Sequence, residues 1–240
     1  MAKHRTKFIR KETVAEGTMA FYFEKPKGFE FKAGQTLDLT LIDPPETDTE
    51  GNTRTFSIAA APQEHFFMHA TRMRDTAFKR SLGKMPVGTE VEFEGPFGSY
   101  TLHNDAKKAA VFLVGGIGIT PVRSIVLDAH ERALPHQIIV FYSNRRPEDA
   151  PFLKELSELA HKMPTFKFVP TMTDMKNSKV EWNGETGYVT QEMVERYVVN
   201  LKSAVFYLDG PMAMVNAMRA LLEKAGVDSD YIKTEEFPGY

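Results

Sequence analysis

The sequence predicts two consecutive domains: an antiparallel six-stranded β-barrel over residues 1–104, then an α/β domain with a parallel sheet over residues 105–240. Three observations predict this. Up to about residue 100 the apolar residues come in short alternating runs rich in β-branched and aromatic side chains, the period-two pattern of half-buried strands. Beyond Asn104, apolar strand runs alternate with helical segments, as in a parallel sheet with crossover helices. The chain of 240 residues, 42% hydrophobic and 26% charged, is long and apolar enough for two cores of ordinary size.

In order along the first half, strands are expected at Arg5 to Val14, Thr18 to Glu24, Thr36 to Ile42, Arg54 to Ala60, Phe66 to Met73 and Thr89 to Glu94. The polar stretch Asp43 to Asn52, with its Pro, Gly and charges, reads as an exposed connection, and Phe78 to Leu82 as a short helix closing the barrel. In the second half strands are expected at Ala109 to Val114, Gln137 to Tyr142, Phe166 to Met172, Ala204 to Leu208 and Tyr231 to Glu235. Helices are expected at Pro121 to Ala133, Pro151 to Lys162, Gln191 to Val199 and Met212 to Ala225, the last with Met212, Val215, Met218 and Leu222 at core spacing. No long linker separates the halves, which predicts a ligand cleft between them.

Composition removes several function classes. With no cysteine, the chain has no disulfide, thiol catalysis or iron–sulfur cluster of its own. A net charge of −2 supplies no field for nucleic acid. The basic start is not followed by an apolar export segment and no run of 18 apolar residues occurs, so a cytoplasmic protein without membrane insertion is expected. His65 and His69, four apart on a strand, stand roughly 13 Å from each other, too far to share one metal ion, and no metal site is expected. A nucleophile elbow of the hydrolase type is missing too.

Two segments carry chemistry. Val114-Gly115-Gly116-Ile117-Gly118-Ile119-Thr120-Pro121 joins a buried strand to a helix, where glycines admit a pyrophosphate to backbone N–H groups at a positive helix end. Its glycine spacing departs from the usual dinucleotide fingerprint, and a tight turn without ligand is the other reading. Arg54-Thr55-Phe56-Ser57-Ile58-Ala59 sets a cation, an aromatic ring and a hydroxyl on one strand, which by itself also suits a plain edge strand.

Taken in order with three further segments, these resemble the ferredoxin-NADP(H) reductase superfamily over nearly the whole chain. The other three are Thr76 to Leu82 after the fifth strand, Tyr207-Leu208-Asp209-Gly210-Pro211, and the aromatic terminus Glu235 to Tyr240. The resemblance implies an FAD-binding barrel and an NAD(P)-binding α/β domain. It implies that Arg54 pairs with the FAD pyrophosphate, that Phe56, beside Thr55, lies against the flavin and ribityl chain, and that Ser57 hydrogen-bonds near flavin N5. Ala70, Thr71 and Arg72 would hold the pyrimidine side. Phe78 and Lys79 fall in the phosphate-contacting segment, with Lys79 where relatives often have Ser or Thr. Gly115, Gly116, Gly118 and Thr120 would receive the NAD(P)H pyrophosphate, with Thr120 near the nicotinamide, and Phe237 would stack on the flavin as a gate or simply pack on the barrel.

Two departures bear on activity. Phe56 lacks the hydroxyl of the commoner Tyr, and Asp209 replaces a Cys beside the nicotinamide, where a carboxylate either slows hydride transfer or caps the helix starting at Pro211. Past the second α/β strand, Ser143 and Arg145, with Arg146 as the alternative, are placed for a 2′-phosphate, and no acidic residue stands in that stretch for a ribose 2′-hydroxyl. NADPH is therefore expected, with NADH possible and a pair of solvated loop arginines the other reading. The implied activity is hydride transfer from NAD(P)H to FAD and electron release to a separate acceptor, such as a ferredoxin, a flavodoxin or an oxygenase component. A free-flavin or ferric-chelate reductase and a flavin-binding sensor without turnover are the alternatives.

Overall fold

The computed structural model describes residues 3–235. Strands β1 (Lys3–Ala15), β2 (Thr18–Glu24), β3 (Thr36–Leu41), β4 (Thr53–Ser57), β5 (Phe66–Arg72) and β6 (Glu90–Phe97) form one antiparallel sheet in the order β4-β3-β6-β1-β2-β5. Helix α1 (Ala77–Lys84) follows β5. Inward-facing residues of these strands, among them Phe8, Phe21, Phe23, Leu39, Phe67 and Phe93, make the first core.

The expected strand Arg54 to Ala60 stops at Ser57, and the reason is what closes the barrel. Past Ser57 the Ile58 N–H donates to the Gln35 carbonyl at 2.9 Å, whereas the Ala59 and Ala60 N–H groups donate to Met68 of β5 at 2.8 and 3.3 Å. Residues 58–60 thus cross from one edge of the sheet to the other. Phe56 of β4 stacks on His69 of β5 across that seam, ring centroids 4.2 Å apart.

The second sheet is parallel throughout: β7 (Ala110–Gly115), β8 (Ile138–Asn144), β9 (Phe166–Met172), β10 (Glu185–Thr186), β11 (Val205–Asp209) and β12 (Ile232–Thr234), ordered β10-β9-β8-β7-β11-β12. Helices α2 (Ile119–Glu131), α3 (Leu153–Lys162), α4 (Gln191–Glu195) and α5 (Met212–Lys224) complete it. Alternation along β7 explains its unbroken apolar run, because Phe112 and Val114 enter one core and Val111 and Leu113 the other, one core per face. Chain order switches sides at β7, so a crevice opens beyond the carboxyl ends of β7 and β11, the usual place for a ligand in such sheets.

Several boundaries differ from expectation, and one strand was not expected at all. Helix α2 begins at Ile119 after a single 3-10 turn, Gly116–Gly118, which puts Pro121 third rather than first; its missing N–H still falls among the four that lack intrahelical acceptors. Helix α3 starts at Leu153, because Phe152 adopts φ +59° ahead of it. Thr190 caps α4 by accepting the Met193 N–H, but the helix ends at Glu195 instead of Val199, which is fully exposed. Strand β10, two residues long, is too short to leave a periodic signal. Among the described residues no helix is long and apolar enough to cross a membrane.

Candidate functional site

A cleft of about 1450 Å³ runs between the two sheets. The barrel contributes Arg54, Thr55, Phe56 and Ser57 from β4, and Ala70, Thr71 and Arg72 from β5. Arg54 is held by the preceding loop: its guanidinium pairs with Asp48 at 3.3 Å and Glu50 at 2.8 Å, donates to the Gly51 carbonyl, and lies 5.1 Å from the Phe78 ring centroid. Thr55 donates its hydroxyl to Asp38, which leaves Ser57, at the end of β4, as the hydroxyl next to the second domain. Phe56 is fixed by its stack on His69, which in turn stacks on Phe21 and Phe23. Burial depresses the His69 pKa to about 3, so that ring is neutral.

Cations gather where α1 begins. Arg74, Thr76 and Lys79 line the cleft beside Arg54, and Thr76 caps the helix by accepting the Lys79 N–H at 3.3 Å. The Lys79 ammonium donates to the Arg72 carbonyl at 2.8 Å. Its pKa is lowered, chiefly by burial and then by the charges of Arg74 and Arg54. A partly buried ammonium whose charged neighbours are both cations, next to a helix N-terminus, suits a phosphate group. Phe78 does not reach the cleft: it is 2% exposed and lies beneath Arg54, so it supports the site rather than contacting a ligand.

Opposite stands the glycine turn, of which Gly115, Gly116, Ile117 and Thr120 face the cleft. Gly116 has φ +55° and open space where a side chain would go, whereas a Cβ on Gly118 would come within 2.6 Å of the Asp209 carbonyl. Gly118 therefore serves the close packing of two turns, not ligand contact, a correction to its expected role. Thr120 donates its hydroxyl to the Ile117 carbonyl at 2.9 Å, which ties α2 back onto the turn.

Asp209 is 1% exposed and lies outside the cleft lining. Nor does it cap α5, whose N-cap is Pro211 without any side-chain acceptor. Burial raises its pKa to about 7, and burial followed by the Asp209 charge raises that of Glu235 to about 8. Asp209 Oδ2, Glu235 Oε2 and the Tyr100 hydroxyl are buried without hydrogen-bond partners among the described residues.

At the far end, Ser143, Asn144 and Arg145 line the cleft from the carboxyl end of β8. Asn144 is 7% exposed and its Nδ2 has no partner, a buried donor facing ligand space. Arg145 is largely exposed and pairs with Asp174 at 3.1 Å. Arg146 is turned into a network with Asp149 at 2.7 Å and Glu16 at 2.9 Å and, unlike Arg145, does not line the cleft. Met212, expected in the core, is 67% exposed and lines the mouth with Tyr188, while Met214 and Met218 lie deeper. Phe237 lies outside the described residues, as does the rest of the terminal segment that follows Glu235.

Arg74, Asp174, Tyr188 and Met214 were missed by sequence reasoning and carry no local pattern that marks them; Thr76 and Asn144 lie inside segments already singled out but were given no role of their own.

Residues 112–220 match the family described as oxidoreductase NAD-binding domain. The glycine betaine monooxygenase reductase subunit of Chromohalobacter salexigens is 26% identical over 98% of this chain and 64% of its own length. The propane 2-monooxygenase reductase component of Rhodococcus jostii is 29% identical over 97% of this chain and 63% of its own. The chain thus spans less than two thirds of these relatives. Among solved structures, a ferredoxin NADP+ reductase from Neisseria gonorrhoeae with bound FAD and NADP superposes with a TM-score of 0.81, at 20% identity, over 97% of this chain and 98% of that one. With a curled antiparallel sheet, a parallel α/β domain and a cleft joining the β4 cation strand to the glycine turn, the chain has the fold of that reductase, and over nearly its whole length it is similar to reductase components of monooxygenases.

Proposed function

We propose that the chain is an NAD(P)H-dependent FAD reductase that passes electrons to a separate acceptor, with an oxygenase component favoured over a ferredoxin or flavodoxin. The observation that carries this is the single cleft in which the end of β4, with Phe56 and Ser57, faces Thr120 and the glycine turn. The relatives named above, themselves reductase components of monooxygenases, support the choice of acceptor. FAD, when bound, supplies the hydride acceptor and the store from which electrons leave.

In this reading residues 1–104 hold FAD and residues 105–240 hold the nucleotide. Arg54 and Lys79 take the pyrophosphate, which requires the exposed Glu50 carboxylate to swing aside from Arg54. Phe56, rigid on His69, gives the ring a flat wall, and Ser57 offers a hydroxyl at its reacting edge. Ala70, Thr71 and Arg72 present backbone groups to the pyrimidine side. Gly115, Gly116 and Thr120 would receive the nucleotide on the cleft wall across from Phe56 and Ser57, the proximity that direct hydride transfer requires.

NADPH, with its 2′-phosphate on Ser143 and Arg145, is the nucleotide first expected. Asp174 favours a second reading, NADH, because a carboxylate already neutralises Arg145 and suits a ribose hydroxyl. Anaerobic titration of the yellow protein with each nucleotide tests both readings: rapid loss of flavin absorbance supports the reductase, and an inert flavin supports a sensor. An acceptor screen then separates an oxygenase partner from free flavin or ferric chelates.

A further inference from the structure

We infer that Arg123 is a positioning residue that sets the nucleotide half of the cleft in register with the flavin half. The inference rests on reading the cleft as a flavin–nicotinamide site. Arg123 sits on α2 one turn beyond Thr120, and it is only 6% exposed. Its five N–H bonds all have acceptors: Nε and Nη2 donate to Glu155 of α3 at 2.8 and 2.7 Å, Nη1 to the Ala59 carbonyl at 2.7 Å and to Glu64 at 2.9 Å, and Nη2 to Glu64 at 3.3 Å.

The acceptors decide what this arrangement does. Glu155 belongs to the α/β domain, but Ala59 and Glu64 belong to the segment that closes the barrel, and Ala59 is two residues past Ser57. The next residue repeats the pattern, since the Ser124 hydroxyl donates to the Ala60 carbonyl at 2.7 Å, and farther along α2 Asp128 accepts from Gln63 at 2.6 Å. Arg123 therefore links Thr120 to Ser57 through one helical turn on one side and two residues of backbone on the other. A displacement at this seam is a displacement between the two reacting faces.

Stability alone is a weak reason for such a group, because a buried ion pair does about as well as apolar side chains of similar volume and is best attested as a device that fixes register. Its planar fork makes five directed bonds where a lysine makes at most three, so a lysine would keep the charge and lose part of the alignment.

The test uses the FAD-loaded protein in anaerobic single-turnover mixing with whichever nucleotide bleaches the unmutated flavin faster. For Arg123→Gln the bleaching rate per bound flavin at saturating nucleotide should fall roughly tenfold to a hundredfold, as expected for a misplacement of about 1 Å, while half-saturation moves by less than about threefold. Arg123→Lys should recover part of the rate, and Glu64→Gln should lower it in the same direction. The long-wavelength absorbance of nicotinamide stacked on flavin should weaken in the same order. An unchanged rate per bound flavin in these variants, even with lowered thermal stability, overturns the inference and leaves Arg123 as part of the fold. Should Arg123→Gln fail to fold, the Lys and Glu64 variants decide by the same criterion. If neither nucleotide bleaches the unmutated protein, the reductase reading itself fails and the inference falls with it.

Discussion

Oδ2 of Asp174 lies 3.1 Å from Nη2 of Arg145, so the cation best placed for a nucleotide 2′-phosphate already has an anionic partner. Asn177 donates to both Asp174 oxygens, at 2.9 and 3.0 Å, and together with Arg145 holds the carboxyl below its usual range. Asp174→Asn is expected to raise kcat/KM for NADPH relative to NADH by about fivefold, since removing a single exposed charge contact is worth on the order of 1 kcal/mol. Arg145→Ala should shift the ratio the other way. Steady-state kinetics with both nucleotides check this, and an unmoved ratio in both variants would remove residues 145 and 174 from nucleotide selection.

Arg54→Ala is expected to weaken FAD binding roughly tenfold to a hundredfold, the range for losing a charge-assisted hydrogen bond to phosphate. The same substitution frees Asp48 and Glu50 from their cation, which adds repulsion toward a pyrophosphate. Adding Lys79→Ala should worsen retention further. Fluorescence titration of the apoprotein measures both, and identification of FMN in the protein as purified would count against a pyrophosphate site at these cations.

How much of this was legible in the sequence depends on how local each signal is. Strands Thr18–Glu24 and Phe66–Arg72 are short runs rich in apolar residues, buried along most of their length, and the structure places them within a residue of expectation. The glycine turn and Arg54 to Ser57 are each contiguous in sequence, which makes them recognisable, but only their order with the other segments pointed to the cleft that both line. Arg145 and Arg146 look alike in sequence and part company because Asp149, three residues on, and Glu16, 130 residues earlier, both hold Arg146. Asp174 reaches Arg145 through the parallel pairing of β8 with β9, a relation that no short window shows. Met212 follows core spacing on α5 but sits in the first helical turn, where the cleft, not the sheet, is its neighbour.

The buried carboxyls of Asp209 and Glu235 predict a stability that declines as pH rises. Both pKa values are raised in the folded protein, to about 7 and about 8, so the fold keeps protons that the unfolded chain has already released. Their stabilising contribution is full below about pH 4 and is lost progressively up to about pH 8. Between pH 5 and 8 the loss should be on the order of 3 kcal/mol for each carboxyl, and Asp209→Asn should flatten the curve. Urea unfolding across that range decides, with parallel curves for the two proteins counting against buried protonated carboxyls.

Two alanine substitutions in the glycine turn should fail in different ways. At Gly118 a Cβ would stand 2.6 Å from the Asp209 carbonyl oxygen and 2.9 Å from the Gly210 nitrogen, both backbone atoms that cannot rotate aside. Gly118→Ala must therefore push β11 away from the turn, and overpacking of this kind is expected to lower stability by about 1 to 3 kcal/mol. Gly116 meets nothing within 4 Å but holds φ +55°, a backbone state that disfavours a side chain by about 1 to 2 kcal/mol. Relief of that strain would rotate the peptide groups facing the cleft, so Gly116→Ala should weaken nucleotide binding more than it lowers the melting temperature. Gly118→Ala should show the opposite order, because its fault lies at the contact with β11 and not on the cleft wall. Thermal unfolding beside nucleotide titration of the two FAD-loaded variants separates them. Equal losses of both quantities would mean that the turn acts as one rigid unit, and that the division of labour between its glycines is mistaken.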